Sequence, residues 1–191
     1  MTRGAMRSRA FLWIAAAVIL LDQATKWWVQ QSLALNAYRP LLPGILKLTH
    51  VHNTGSAFSL FRGASGWLVF VSIVSLVAIL RYWLVLQRRG TGISPVLLFG
   101  LALPFGGAAG NLIDRLRLGY VVDFLELPLW PVFNVADSAI TVGALLLVLH
   151  FMRPDESERD ERRGVRDERE FDLIPHPSSL IPDEEAVPGE G

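Results

Sequence analysis

Asp123 and Asp137 are the two residues of this chain whose type and setting best suit acid-base chemistry. Asp123 is bracketed by Val121, Val122 and Phe124, an apolar setting that disfavours a charged carboxylate. Asp137 falls in the first turns of an apolar helical stretch, where free backbone amides and the helix dipole favour the ionised form. Neither has a cationic partner at helical spacing. One ionised carboxylate can take a proton from water while a protonated one gives a proton to a carbonyl or leaving group. On these facts alone a second reading stays open, with Asp137 as a helix cap and Asp123 as a turn former.

The remaining ionisable groups near apolar segments are few. Asp22 and Lys26 are spaced i,i+4, which fits either a simple ion pair or a pair that positions a substrate. Asp114 suits an anchor for loop backbone at a helix end, and Arg115 can present planar donors to a carbonyl or phosphate. His50 and His52 point the same way on a strand but lack a third ligand, so no metal site is expected. Ser56, Ser59 and Ser138 have no partnered base, which argues against serine chemistry. Absence of cysteine excludes disulfides, thiolate metal sites and a cysteine nucleophile.

The elements that must hold these groups are apolar helices. Half of the 191 residues are hydrophobic and the mean hydropathy is positive, so lipid is the expected solvent for much of the chain. Four candidate spans cover residues 10–29, 67–86, 95–113 and 133–152, each about 19 or 20 residues, enough to cross a ~30 Å hydrocarbon core. A signal peptide would also begin with Arg3, Arg7 and Arg9, but no small-residue cleavage site follows Leu21, which favours a retained first span. Basic residues precede span one, lie between spans two and three, and enrich the tail. The positive-inside rule therefore places both termini in the cytoplasm and the 30–66 and 114–132 loops outside. All the ionisable groups above then converge on the outer face. Residues 45–52 alternate as a strand and are followed by a turn signal, and residues 119–125 are rich in β-formers. The expected fold is all-α and membrane-embedded, with four transmembrane helices and a small β-sheet on the outer face. Residues 1–152 form its single domain. Residues 153–191, rich in Asp, Glu, Arg, Pro and Ser, are expected to be a disordered cytoplasmic tail. Net charge is zero and the charges are concentrated at the ends, so nucleic-acid binding is not expected. Gly106-Gly-Ala-Ala-Gly110 reads as a small-residue face for close helix packing.

In chain order, Asp22-Gln-Ala-Thr-Lys26, Asn53-Thr-Gly-Ser-Ala-Phe58, Gly110-Asn-Leu-Ile-Asp-Arg115, Val122-Asp-Phe124 and Phe133-Asn-Val-Ala-Asp137 resemble the motif set of the lipoprotein signal peptidases, also called signal peptidase II. The resemblance covers roughly residues 10 to 152. It implies an aspartyl peptidase of the bacterial cytoplasmic membrane that removes signal peptides from prolipoproteins, cutting before a cysteine that carries a diacylglyceryl group. It implies Asp123 and Asp137 as the catalytic pair, and Asn53, Gly55, Asn111, Arg115, Asn134 and Ala136 as residues beside the substrate. Asp22, Lys26 and Asp114 would support the site. No cofactor is implied; the partners are the lipid-modified substrate and membrane lipid, and a monomer is expected. The tail from Arg153 onward departs from the family core. A small transporter would instead carry its charges to mid-bilayer and show a repeat or a Gly/Pro break. A membrane scaffold would have no chemistry to lose on neutralising either aspartate.

Overall fold

The computed structural model describes residues 3–55, 64–90 and 92–152. Ser56 and Ser59 therefore lie outside the described residues, as does the tail from 153. Within one unit, Met1–His150, the elements run α1 (Arg3–Ser32), β1 (Tyr38–Leu42), β2 (Leu46–Asn53), α2 (Ala64–Arg89), α3 (Pro95–Leu118) and β3 (Val121–Glu126), followed by α4 (Val135–Phe151), which crosses the unit boundary at its last residue.

Helix α3 sits between the others because its sequence supplies a small residue wherever a neighbour must come close. A Cβ on Gly106 would lie 2.8 Å from the Ala15 carbonyl oxygen of α1, and one on Gly107 would run into the Ala136 carbonyl of α4. Farther along, Gly143 of α4 receives the Pro104 ring. Ser94 caps α3 by accepting the Leu97 amide at 3.2 Å, with Pro95 at the first helical turn. At the other end Gly119 adopts the left-handed conformation at φ 82° and its amide closes on the Arg115 carbonyl, which turns the chain directly into β3.

Buried positions of α1 form one stripe: Phe11, Ala15, Asp22, Lys26 and Val29, with Leu33 just beyond the helix. The intervals are three, four or seven residues, so apolar and charged side chains share a single buried face. At one end Phe11 stacks on Trp83 at 4.5 Å within a core that includes Leu97 and Leu101. At the other, Val29 and Leu33 pack with Leu48 and Phe124 beneath the sheet. The polar residues lie between these two clusters.

The sheet is antiparallel in the order β1-β2-β3. Val51 pairs with Asp123 and Asn53 with Val121, after an irregularity between Leu48 and Val51. The small sheet expected from residues 45–52 and 119–125 is present, with β1 as an added edge.

Helix boundaries differ from the sequence-based spans. α3 runs one turn past residue 113, so Asp114 and Arg115 lie inside the helix rather than closing it. α4 begins at Val135 rather than at 133 because Phe133 exchanges backbone hydrogen bonds with Leu125 as an extension of the sheet. Its 17 residues span about 25 Å. Among the described residues three helices are long and apolar enough to cross a membrane, within α1, α2 and α3, and α4 is a shorter apolar helix. Large side chains such as Trp13, Leu20, Phe70, Val77 and Leu145 project outward, as a lipid solvent allows and water does not.

Gly107→Ala and Gly106→Ala, which push a methyl into helix backbone, are expected to lower stability by about 1–3 kcal/mol. Gly66→Ala, with open space around it, should be neutral or slightly stabilising. Thermal unfolding in one detergent checks the contrast.

Candidate active site

The polar residues between the two apolar clusters form one connected network. It starts at Lys26, whose ammonium carries three protons and no acceptor. It contacts Asp22 Oδ2 and Asp114 Oδ2, each at 2.8 Å, and donates to Asn111 Oδ1 at 2.9 Å. All three groups are buried, as is Lys26 itself. The i,i+4 pair expected from the sequence is thus real, and Asp114 joins it from α3.

Asp22 and Asp114 then reach the segments that carry Asp137 and Asp123. Asp22 Oδ1 accepts the Ala136 amide at 3.0 Å, which ties α1 to the first turn of α4. Gly110 makes this possible, since a Cβ there would sit 2.6 Å from Asp22 Oδ2. Asp114 Oδ2 accepts the Val122 amide at 3.2 Å and so holds β3 next to Asp123. Gln23 completes the junction through Asp22 Oδ2, the Gly110 carbonyl and Asp114 Oδ1.

Two asparagines connect this junction to the two aspartates. Asn111 Nδ2 donates to Asp137 Oδ1 at 2.8 Å. Asn134 Nδ2 lies 2.7 Å from Asp123 Oδ1, 3.1 Å from Asn111 Oδ1 and 3.3 Å from the Val122 carbonyl. Asn134 also caps α4 reciprocally with Asp137: Asn134 Oδ1 accepts the Asp137 amide at 2.9 Å, and Asp137 Oδ2 accepts the Asn134 amide at 3.3 Å. The capping reading of Asp137 therefore holds, and it coexists with placement beside Asp123, because the same asparagine touches both carboxylates. From β2, Asn53 Nδ2 donates to Asp123 Oδ2 at 2.8 Å while its Oδ1 accepts the Gly55 amide, with Gly55 at φ 74°.

The two carboxylates differ in setting. Asp123 is 2% exposed, whereas Asp137 is only partly buried. Burial pushes the Asp123 carboxyl up to about 6; the Asn53 and Asn134 donors oppose the rise, and the charge of Asp137 adds to it. Arg115 is half-buried, donates to the Asn111 carbonyl at 3.3 Å, and lies in the electrostatic field of Asp137, Asp123 and Asp114.

Every described member of the expected site converges here: Asp22, Lys26, Asn53, Gly55, Asn111, Asp114, Arg115, Asp123, Asn134, Ala136 and Asp137. Two histidines lie apart from it. His50 Nδ1 faces the Leu33 carbonyl at 2.9 Å, and His52 stacks on Tyr120 at 3.7 Å. Ser138 donates to the carbonyl of Asn134, the residue that caps its own helix. Gln23 was not among the expected site residues, although it lies within the first motif; its place next to Asp22 was the one signal in the sequence.

The Signal peptidase (SPase) II family profile matches residues 14–153, which contain the whole network. The chain belongs to the signal peptidase II family. The peptidase is 47% identical over 144 residues to the lipoprotein signal peptidase of Desulforapulum autotrophicum, covering 72% of this chain and 88% of that one. It is 44% identical to the lipoprotein signal peptidase of Moorella thermoacetica, over 75% and 93% of the two chains. Its fold matches a solved bacterial membrane enzyme, determined by the in meso method at 1.9 Å resolution, with a TM-score of 0.69 and 27% identity over 76% of this chain and 94% of that one.

A carboxyl raised to about 6 costs folding stability when it must ionise. Between pH ~4 and ~6 the unfolded chain has released this proton and the folded one has not, so stability falls as pH rises and levels off above ~6. Relative to Asp123→Asn, wild type should lose about 3 kcal/mol across that window. Denaturant unfolding of both proteins in detergent from pH 4 to pH 8 reads the difference, and a pH-independent gap would contradict it.

Proposed function

We propose that the peptidase is an aspartyl endopeptidase of the bacterial cytoplasmic membrane that cleaves diacylglyceryl-modified prolipoproteins just before the lipidated cysteine. The single observation that carries this reading is the bridging of Asp123 and Asp137 by Asn134, which contacts both carboxylates. Family membership supports the substrate class. The different burial of the two carboxylates supports a division of labour between them.

In the proposed reaction Asp137, ionised, takes a proton from water as the water oxygen bonds to the scissile carbonyl carbon. Asp123, protonated, gives its proton to the carbonyl oxygen. Collapse of the tetrahedral species breaks the C–N bond; the leaving amine takes the proton held by Asp137, and Asp123 recovers one from the hydroxyl. One proton is shared throughout, with no acyl-enzyme. No cofactor enters the scheme.

Arg115 offers its remaining guanidinium donors to substrate backbone carbonyls, and Asn53, Gly55, Asn111, Asn134 and Ala136 border the peptide. Asp22, Lys26 and Asp114 hold the frame. α4 acts as the fourth span, with the loop before Asn134 bringing its start to the interface, where Trp130 suits headgroup depth. Both termini face the cytoplasm and the site faces outward, where the polar ends of α1 and α3 meet the sheet. The lipid of the substrate stays among the helices while its peptide crosses the outer face. The protein acts as a monomer whose domain is residues 1–152, and 153–191 form a cytoplasmic appendage.

Purified, detergent-solubilised protein should cut a diacylglyceryl-modified prolipoprotein before the lipidated cysteine. Asp123→Asn and Asp137→Asn, each folded, should lose activity by ~10³-fold or more. Arg115→Ala should raise KM more than it lowers kcat. An inactive wild type, or near-normal turnover in either aspartate variant, would falsify the dyad.

A further inference from the structure

The Asn111 side chain has two nearly isosteric ends, and only one of them helps Asp137. An amide whose nitrogen faces Asp137 supplies a donor to a carboxylate; turned over, it sets oxygen against oxygen. Something must therefore fix the amide, and the neighbours that do so are identifiable by their chemistry. Lys26 Nζ, 2.9 Å from Asn111 Oδ1, has donors only and is already committed to Asp22 and Asp114. Asn134 Nδ2 also faces Asn111 Oδ1, and the Asn134 amide is itself oriented by the Asp137 backbone N–H at its oxygen.

We propose that Lys26 is a positioning residue that acts through Asn111: by holding Oδ1 it turns Nδ2 toward Asp137 and so positions the carboxylate that the proposed reaction uses as base. The proposal rests on the two-aspartate reading above and assigns a role within it. Lys26 touches neither Asp123 nor Asp137 among the described contacts; its charge acts on Asp123 through space, and its hydrogen bond acts on Asp137 through the amide. Other charges lie nearby: Arg115 of α3 and Asp123 of β3 interact electrostatically with Asp137, Asp22 of α1 accepts the amide of the residue before Asp137, and Asp114 of α3 shares Lys26 with Asp22. A test must therefore keep their sum constant.

Two double variants do so. Lys26→Met/Asp114→Asn removes one cation and one anion together and leaves no donor at position 26. Lys26→Gln/Asp114→Asn has the same charge but returns an N–H that can reach Asn111 Oδ1. With folding checked by thermal unfolding, the Met variant should lose ~10-fold or more in kcat with little change in KM relative to the Gln variant. The acid limb of its pH profile should be displaced from that of the Gln variant, because the two differ in the donor that orients Asn111. A purely structural lysine predicts equal kcat and coincident limbs in the two folded variants, and that result overturns the proposal. Should neither double variant fold, Lys26→Arg decides: it keeps donors and charge, so its acid limb should coincide with wild type, and a displaced limb in the folded protein overturns the proposal. Wild type and Asp137→Asn measured alongside separate the two layers. If wild type does not cleave, or Asp137→Asn still does, the two-aspartate reading itself has failed; if both behave as expected, the Lys26 variants judge the inference alone.

Discussion

One buried ammonium sets the terms for the rest of this molecule. Lys26 lies in the interior with all three of its protons engaged, on Asp22, Asp114 and Asn111. An isolated charge in such a place would cost several kcal/mol, and removing a single partner of a buried pair typically costs ~3–5 kcal/mol. The arrangement is stable only when α1 and α3 approach closely enough for all three contacts to close. Gly106 and Gly110 permit that approach, so the small residues of α3 and the charge on α1 depend on one another.

The constraint extends outward to Asp123 and Asp137 by short steps. Asp22 fixes the first turn of α4 through the Ala136 amide, and Asp114 fixes β3 through the Val122 amide. Each contact lies one residue from an aspartate, Asp137 in the first case and Asp123 in the second. The two carboxylates thus come from different elements far apart in the chain, yet both are referenced to the same lysine. Asn134 and Asn111 then set the donors each carboxylate receives. Burial makes Asp123 reluctant to ionise, while Asp137 remains partly open at the helix end. This asymmetry is what a pair of chemically identical groups needs before one can act as acid and the other as base.

Much of this was legible from residue types and spacing. Asp22 and Lys26 at i,i+4, Asp123 among valines and phenylalanine, and Asp137 at a helix start each carried a local signal, and the structure joins them. The small face from Gly106 to Gly110 was legible for the same reason, since few other roles suit so many glycines and alanines in an apolar helix. The rest depended on contacts distant in sequence. α4 starts at Val135 because Phe133 pairs with β3, a tertiary hydrogen bond that hydropathy does not register. The polar part of the α1 stripe was obscure because a hydropathy reading treats Asp22 and Lys26 as interruptions of a span, when they continue its buried face. The contacts of Asn111 within the protein were not legible: both ends of its amide are engaged, at Lys26, Asn134 and Asp137, all distant in sequence. Gln23 gave too little signal alone, since a glutamine on a helix has no preferred partner until Gly110 and Asp114 are brought against it.

The central claim is that the proton the pair shares in the proposed reaction resides on Asp123, the more deeply buried of the two. Infrared difference spectroscopy of protein carrying carboxyl-labelled aspartate, recorded across the Asp123 titration at about 6, observes that proton directly. The account predicts a protonated-carboxyl band that disappears as pH rises through that value, is missing from Asp123→Asn, and persists in Asp137→Asn with its titration moved lower by the loss of the neighbouring charge. A band that survives in Asp123→Asn and vanishes in Asp137→Asn would place the proton on the other aspartate and contradict the account.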